Sequence, residues 1–223
     1  MGKGCSAPAS STTIYPNSLS GLSQKMAKKW SNRNLPGALH FVTGNVIKRL
    51  PIFRKEIACR AFLEEFQDLK IKRECKLIAF VIMPDHIHLI INPRDGKIRE
   101  WIGALKSLSA KRLVEIMSKG LFAKNSSENQ VWQESFKALP LWSNWMIWQK
   151  INYIHNNPLK AGLVDSVRNY KWTSFRAFYL EEPDPLLQID KDWWWADDVQ
   201  KLAKAMADWD EELLEKRKKE SKS

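Results

Sequence analysis

Apolar residues along this chain change their period at a few well-marked places. Residues 38–47 (ALHFVTGNVI) are largely apolar and partly β-branched, which predicts a strand. The glycine inside it predicts a bulge or a close approach by another backbone. Residues 54–73 carry Ile57, Ala61, Phe62, Phe66 and Leu69 at helical spacing with charges between, an amphipathic helix whose aromatic stripe is core. Two apolar runs, 75–83 (CKLIAFVIM) and 87–91 (IHLII), are separated by Pro84 and Asp85 and read as strand, turn, strand. A second amphipathic helix is predicted over 97–118, with Trp101, Ile102, Leu105, Leu108, Leu113 and Ile116 on its buried side. Residues 131–139 read as a short last strand. A third helix starts near Ser143, with Ser143 or Asn144 as N-cap, and Pro158 is expected to stop it.

The order β-α-ββ-α-β predicts an α+β fold of the ferredoxin-like sort, an antiparallel sheet with helices packed on one face. Residues 1–34 are polar and basic (Lys25, Lys28, Lys29 and Arg33 near their end) and read as a disordered leader. The folded domain is expected over 35–180. Residues 181–223 are expected to be a linker (Glu181 to Pro185) and a C-terminal helical extension. The Trp193–Trp195 cluster would dock the last helix on the core or, as the second reading, form an oligomer contact, and the extension ends in a Lys/Arg-rich tip at Lys216–Lys219.

Charge narrows the partners. A net charge of +11 over 223 residues favours a polyanion, nucleic acid ahead of an anionic membrane. No apolar run approaches the ~20 residues that cross a bilayer, so no membrane partner is expected. Three cysteines without paired spacing leave one over, which argues against a disulfide framework or a zinc ribbon. With no secretory pattern at the N-terminus, a reducing cytoplasm is the expected location. On the 97–118 helix, Lys97, Arg99, Lys106, Lys111 and Arg112 give one face almost a single sign. Such a face is ordinarily solvated, and with this net charge it is also a candidate phosphate contact.

The chain has four histidines, and two of them, His86 and His88, alternate on the most strand-like stretch. Alternate side chains of a strand share a face, so both imidazoles point one way, half of a metal site. Tyr153 and Asn157 are four apart near the end of the third helix and also share a face, with His155 pointing elsewhere. Asn157 can offer a carbonyl oxygen to a cation and Tyr153 a phenol one turn earlier. Equally, they read as a helix-face aromatic and a C-terminal cap.

Several stretches together resemble the small single-tyrosine transposases with a His-hydrophobe-His motif, most of all the REP-associated branch. They are Met83-Pro84-Asp85-His86-Ile87-His88-Leu89, Trp132-Gln133, the run Ile151-Asn152-Tyr153-Ile154-His155-Asn156-Asn157-Pro158-Leu159-Lys160-Ala161-Gly162-Leu163-Val164, and Tyr170-Lys171-Trp172-Thr173-Ser174-Phe175-Arg176-Ala177. Asn45 to Phe53 resembles the family's first strand and following turn, so the likeness covers about residues 36–180. The resemblance implies that His86 and His88, completed by Asn157, bind a divalent ion, Mg²⁺ or Mn²⁺, and that Tyr153 is the nucleophile. It implies a nucleoid-associated bacterial protein acting on single-stranded or hairpin DNA, with a homodimer left open. Asp85 stands where the family usually has Asn, either to add negative charge near the metal or to cap the turn. The aromatic entry Trp142 to Trp148 also departs from the family's more charged one.

The implied reaction cuts and rejoins single-stranded DNA through a 5′-phosphotyrosine. A phenol near pKa 10 must lose its proton on attack, which positive charge from the metal and from Lys150 or Lys160 would favour. Asn45, Arg49, Lys150 and Lys160 join Lys106, Lys111 and Arg112 as candidate DNA contacts. Two alternatives stay open: a hairpin-DNA-binding regulator that no longer cuts, and a metal hydrolase that uses water.

Overall fold

The computed structural model describes residues 32–118, 130–183, 187–205, 207, 208 and 215. Most of the expected leader, most of the polar loop 123–130 and the Lys216–Lys219 tip lie outside the described residues. Four strands form one antiparallel sheet: β1 (Leu39–Asn45), β2 (Cys75–Met83), β3 (His86–Pro93) and β4 (Lys137–Leu141), in the order β2-β3-β1-β4. The helices are α1 (Glu56–Lys72), α2 (Ile98–Ser118), α3 (Asn144–Lys160) and the short α4 (Phe175–Tyr179). This is the expected ferredoxin-like α+β arrangement.

Its helices divide between the two faces of the sheet. The crossover helices α1 and α2 cover one face, where Phe62, Phe66, Trp101 and Leu105 pack on Val42, Phe80, Ile82, Leu89 and Ile91. Helix α3 covers the other, with Ile147, Ile151 and Ile154 on Leu39, Ile78, Val81 and Ile90. The expectation of one covered face therefore holds for α1 and α2 and is corrected for α3. The reason is burial: β2 is apolar on both faces and β3 adds Ile90 to the second, so both faces need a cover.

Smaller departures have local causes. Ile57 is 56% exposed and Leu108 39% exposed, at the margins of their helices' buried stripes. Gly44 makes no bulge; a Cβ there would meet the Ile87 side chain at 3.2 Å, so the glycine admits a neighbouring side chain. The irregularity lies in β2, where the register shifts between Leu77 and Ala79. The last strand is Lys137–Leu141, and Trp132 forms only an isolated bridge with Val46. Pro158 lies inside α3, which runs on to Lys160. So close to the end the proline removes one backbone donor, and the amides of Ala161 and Leu163 close on Asn157 and Pro158.

The open edge of β2 is covered by later chain. The Ile82 amide donates to the Trp172 carbonyl (2.9 Å), Ser174 N to Phe80 O (3.0 Å) and Asp190 N to Leu77 O (2.6 Å). Leu187 is buried in the α1/α2 core, and Trp193 and Trp194 pack beside α3. The Trp195 indole donates to Asn92 O, and Asn92 in turn donates to Asp198. Residues 187–198 thus belong to the body of the fold, not to a free-standing extension. Among the described residues no helix is long and apolar enough to cross a membrane.

Candidate active site

Alternation along β3 sends Ile87 and Leu89 into the α1/α2 core and His86 and His88 towards α3. The rings of the two histidines lie 4.8 Å apart, as their spacing predicts. The antiparallel register with β1 sets Thr43 opposite His88 and Asn45 opposite His86. Thr43 Oγ1 is 2.9 Å from His88 Nδ1, and Asp85 Oδ1 is 2.6 Å from His86 Nδ1. The other Asp85 oxygen accepts from Arg49 Nε at 2.8 Å, and Arg49 Nη1 donates to Asn45 Oδ1 at 2.5 Å. Asp85 therefore ties the turn and the first histidine to a cation. Arg49 and its neighbour Lys48 have left-handed backbones (φ 56° and 50°). Two backbone bonds to the Pro84-Asp85 turn, Val46 N to Asp85 O and Phe53 N to Pro84 O, hold that strained segment.

With Nδ1 engaged, each imidazole keeps Nε2 for the site. His88 Nε2 is buried without a hydrogen-bond partner. Burial, then the nearby His86, Lys150 and Arg49, pulls its pKa down to about 3, so the ring is neutral at pH 7 with one nitrogen lone pair available.

Helix α3 brings the phenol. Tyr153 sits edge-on to His88 with ring centroids 5.2 Å apart, and touches Phe41 at 5.8 Å. It is 40% exposed, so a substrate can reach it. Lys150, one turn earlier, holds Nζ 4.9 Å from the Phe41 ring and 5.6 Å from that of Tyr153, and burial lowers its pKa. One turn after Tyr153, Asn157 is half-buried with its amide nitrogen unpartnered. His155 points away into a pocket of Phe175, Phe178 and Tyr179, its Nε2 2.8 Å from Ser174 Oγ.

The remaining predicted contacts scatter. Asn45 and Arg49 lie beside the histidines. Lys106 is occupied, donating to the carbonyls of Gln133 (2.5 Å) and Glu134 (2.8 Å). Lys111 is exposed, and so is Arg112, which pairs with Glu115; both are on α2, across the sheet from the histidines. Lys160 is exposed at the last residue of α3. Sequence reasoning missed Phe41 and Thr43, although their alternation with Asn45 puts all three on one face of β1. Among the described residues no three His, Cys, Asp or Glu side chains gather as a metal-binding group.

The profile of the family described as Transposase IS200 like matches residues 37–157, more than half of the chain and both halves of this site. The chain belongs to that family. A curated Haemophilus influenzae protein, named as a REP-associated tyrosine transposase, is 29% identical over 103 residues, which are 44% of this chain and 57% of the relative. The chain thus spans little more than half of that relative's length. A solved REP-associated tyrosine transposase bound to a REP hairpin is 21% identical, covering 64% of this chain and 79% of its own, with a TM-score of 0.49. A Deinococcus radiodurans structure described as a transposase is 22% identical, covering 53% and 88%, with a TM-score of 0.41.

Proposed function

We propose that the protein cuts and rejoins single-stranded DNA with Tyr153 as nucleophile. The observation that carries this reading is the exposed phenol packed edge-on against His88, a neutral imidazole whose inward nitrogen has no partner. A phenol serving only to fill the core would be buried, and Tyr153 is not.

The attack forms a bond between the Tyr153 oxygen and phosphorus and breaks the bond from phosphorus to the 3′-oxygen. The products are a 5′-phosphotyrosine and a free 3′-hydroxyl, which takes up the proton that the phenol loses. Because the phosphodiester is exchanged rather than hydrolysed, a second 3′-hydroxyl reverses the step and joins strands without ATP. Lys150, half-buried beside the ring, places a positive charge where the anionic phosphate would lie.

The donor set suits a divalent cation. Nδ1 of both histidines is engaged by Asp85 and Thr43, an arrangement that orients Nε2 as metal-ligating histidines require. His86 Nε2, His88 Nε2 and the Asn157 carbonyl would hold Mg²⁺ or Mn²⁺. Such an ion supplies polarisation of a non-bridging phosphate oxygen and charge neutralisation. The substrate class is single-stranded DNA beside a hairpin, in line with the REP hairpin bound by the solved relative. Stacking on exposed aromatics favours single strands.

The test is a 5′- or 3′-labelled single-stranded oligonucleotide carrying a hairpin, incubated with Mg²⁺. A covalent protein–DNA adduct is expected, absent in Tyr153→Phe, lost with EDTA and restored by Mn²⁺. Binding without adduct in the wild type would make the protein a regulator of the same fold. Cleavage that survives Tyr153→Phe would assign the nucleophile to water.

A further inference from the structure

A cavity of about 580 Å³ lies away from the histidines, lined by Arg60, Arg168, Lys171 and Arg176 together with Trp172 and Glu182. Its size falls within the roughly 300–1,000 Å³ of ligand clefts. Four cations face it. Two carboxylates answer them: Glu56, outside the lining, accepts from Arg60 and Lys171 (2.7 Å each), and Glu182 pairs with Arg176. An excess of two positive charges is left around one concavity.

Apart from Asn169, the lining groups that could read bases are already committed. The Trp172 ring packs on the core and carries the Lys171 ammonium 4.8 Å from its centroid. The Thr173 hydroxyl is buried and donates to Phe80 O. What remains for a ligand, beside the Asn169 amide, is guanidinium and ammonium, the chemistry of phosphate. The location is informative as well. Residues 172–174 bond to the edge of β2 at Phe80–Ile82, and Met83, the next residue, pairs with His86. The cavity wall is therefore built on the end of the strand that leads into the histidine turn.

We propose that this cavity binds backbone phosphates of the DNA strand flanking the scissile bond, independently of sequence. This rests on the strand-transfer reading for the identity of the polyanion. Arg168 and Arg176 are the principal ligands, and Arg60 and Lys171 set the field. Phosphate contacts position a strand without specifying its sequence.

The experiment measures anisotropy of labelled single strands of unrelated sequence against salt, with wild type, Arg168→Ala/Arg176→Ala and the single variant Arg168→Gln. The single variant leaves the Arg176–Glu182 pair intact and keeps the test valid should the double variant fail to fold. Loss of about two phosphate contacts lowers the slope of log affinity against log salt by about 1.4, with at least about tenfold weaker binding at low salt. Arg168→Gln shows about half that slope change, equally for every sequence. Unchanged affinity and slope in a folded variant overturn the proposal, and so does a loss confined to one sequence. The free nucleotide dAMP is titrated in parallel; its binding, with DNA affinity unaffected by the substitutions, reassigns the cavity to a soluble nucleotide and also overturns the proposal. Adduct formation is read separately: weaker binding in the variants with no wild-type adduct sinks the strand-transfer reading and leaves the phosphate site standing.

Discussion

At the scale of single residues, the site is a matter of which nitrogen is free. Thr43 and Asp85 occupy Nδ1 of His88 and His86, so Nε2 of each ring is left for the site. Removing such a partner typically costs a metal site 10–100-fold in affinity. Thr43→Val is therefore expected to weaken Mn²⁺ binding by roughly tenfold or more, measured by calorimetry, while the fold persists. Equal affinity in the variant would dismiss the hydroxyl as an orienting group. The histidine pair was legible from alternation alone. Thr43 was not, because its role depends on strand register across 45 residues of sequence. Asp85 was visible in the sequence, but only its geometry, bridging His86 and Arg49, separates a histidine-orienting group from a turn cap.

At the scale of elements, helix α3 matters most, because its position on the second sheet face puts Tyr153 over the histidines. Its first turn is fixed by Ser143, whose hydroxyl accepts from the Met146 amide at 3.3 Å. Replacing an N-cap serine by alanine costs about 1 kcal/mol. Ser143→Ala is expected to lose about that much stability in urea unfolding with its m-value unchanged; no loss would mean that the cap is idle. The element order and all three long helices could be read from periodicity. The face that α3 covers could have been read too: CKLIAFVIM is a continuous apolar run, and a strand exposed on one side would alternate. Pro158 misleads because a proline's effect depends on how many turns follow it, which local sequence does not reveal.

At the scale of the molecule, the chain beyond the third helix completes the sheet. Leu187, 1% exposed, fills the core that α1 and α2 share with the sheet. Truncating a buried leucine to alanine costs roughly 2–5 kcal/mol. Leu187→Ala is expected to fall in that range by chemical denaturation, whereas a residue in a loose linker would change stability by next to nothing. Sequence marks the tryptophans that dock but not what they dock on, because the contacts run from Asp190 back to Leu77 and from Trp195 back to Asn92, more than a hundred positions apart, and no periodicity marks them.

The hydroxyl of Ser174 has a consequence for motion. It accepts from the Phe80 amide of β2 at 2.9 Å and meets the His155 ring of α3 at 2.8 Å. Strand and helix are riveted through one oxygen, two residues along from the tyrosine. The backbone of Tyr153 cannot swing clear of the histidines unless that rivet breaks. While it holds, the phenol's travel is set by its own χ1 and χ2, and any substrate has to come to it.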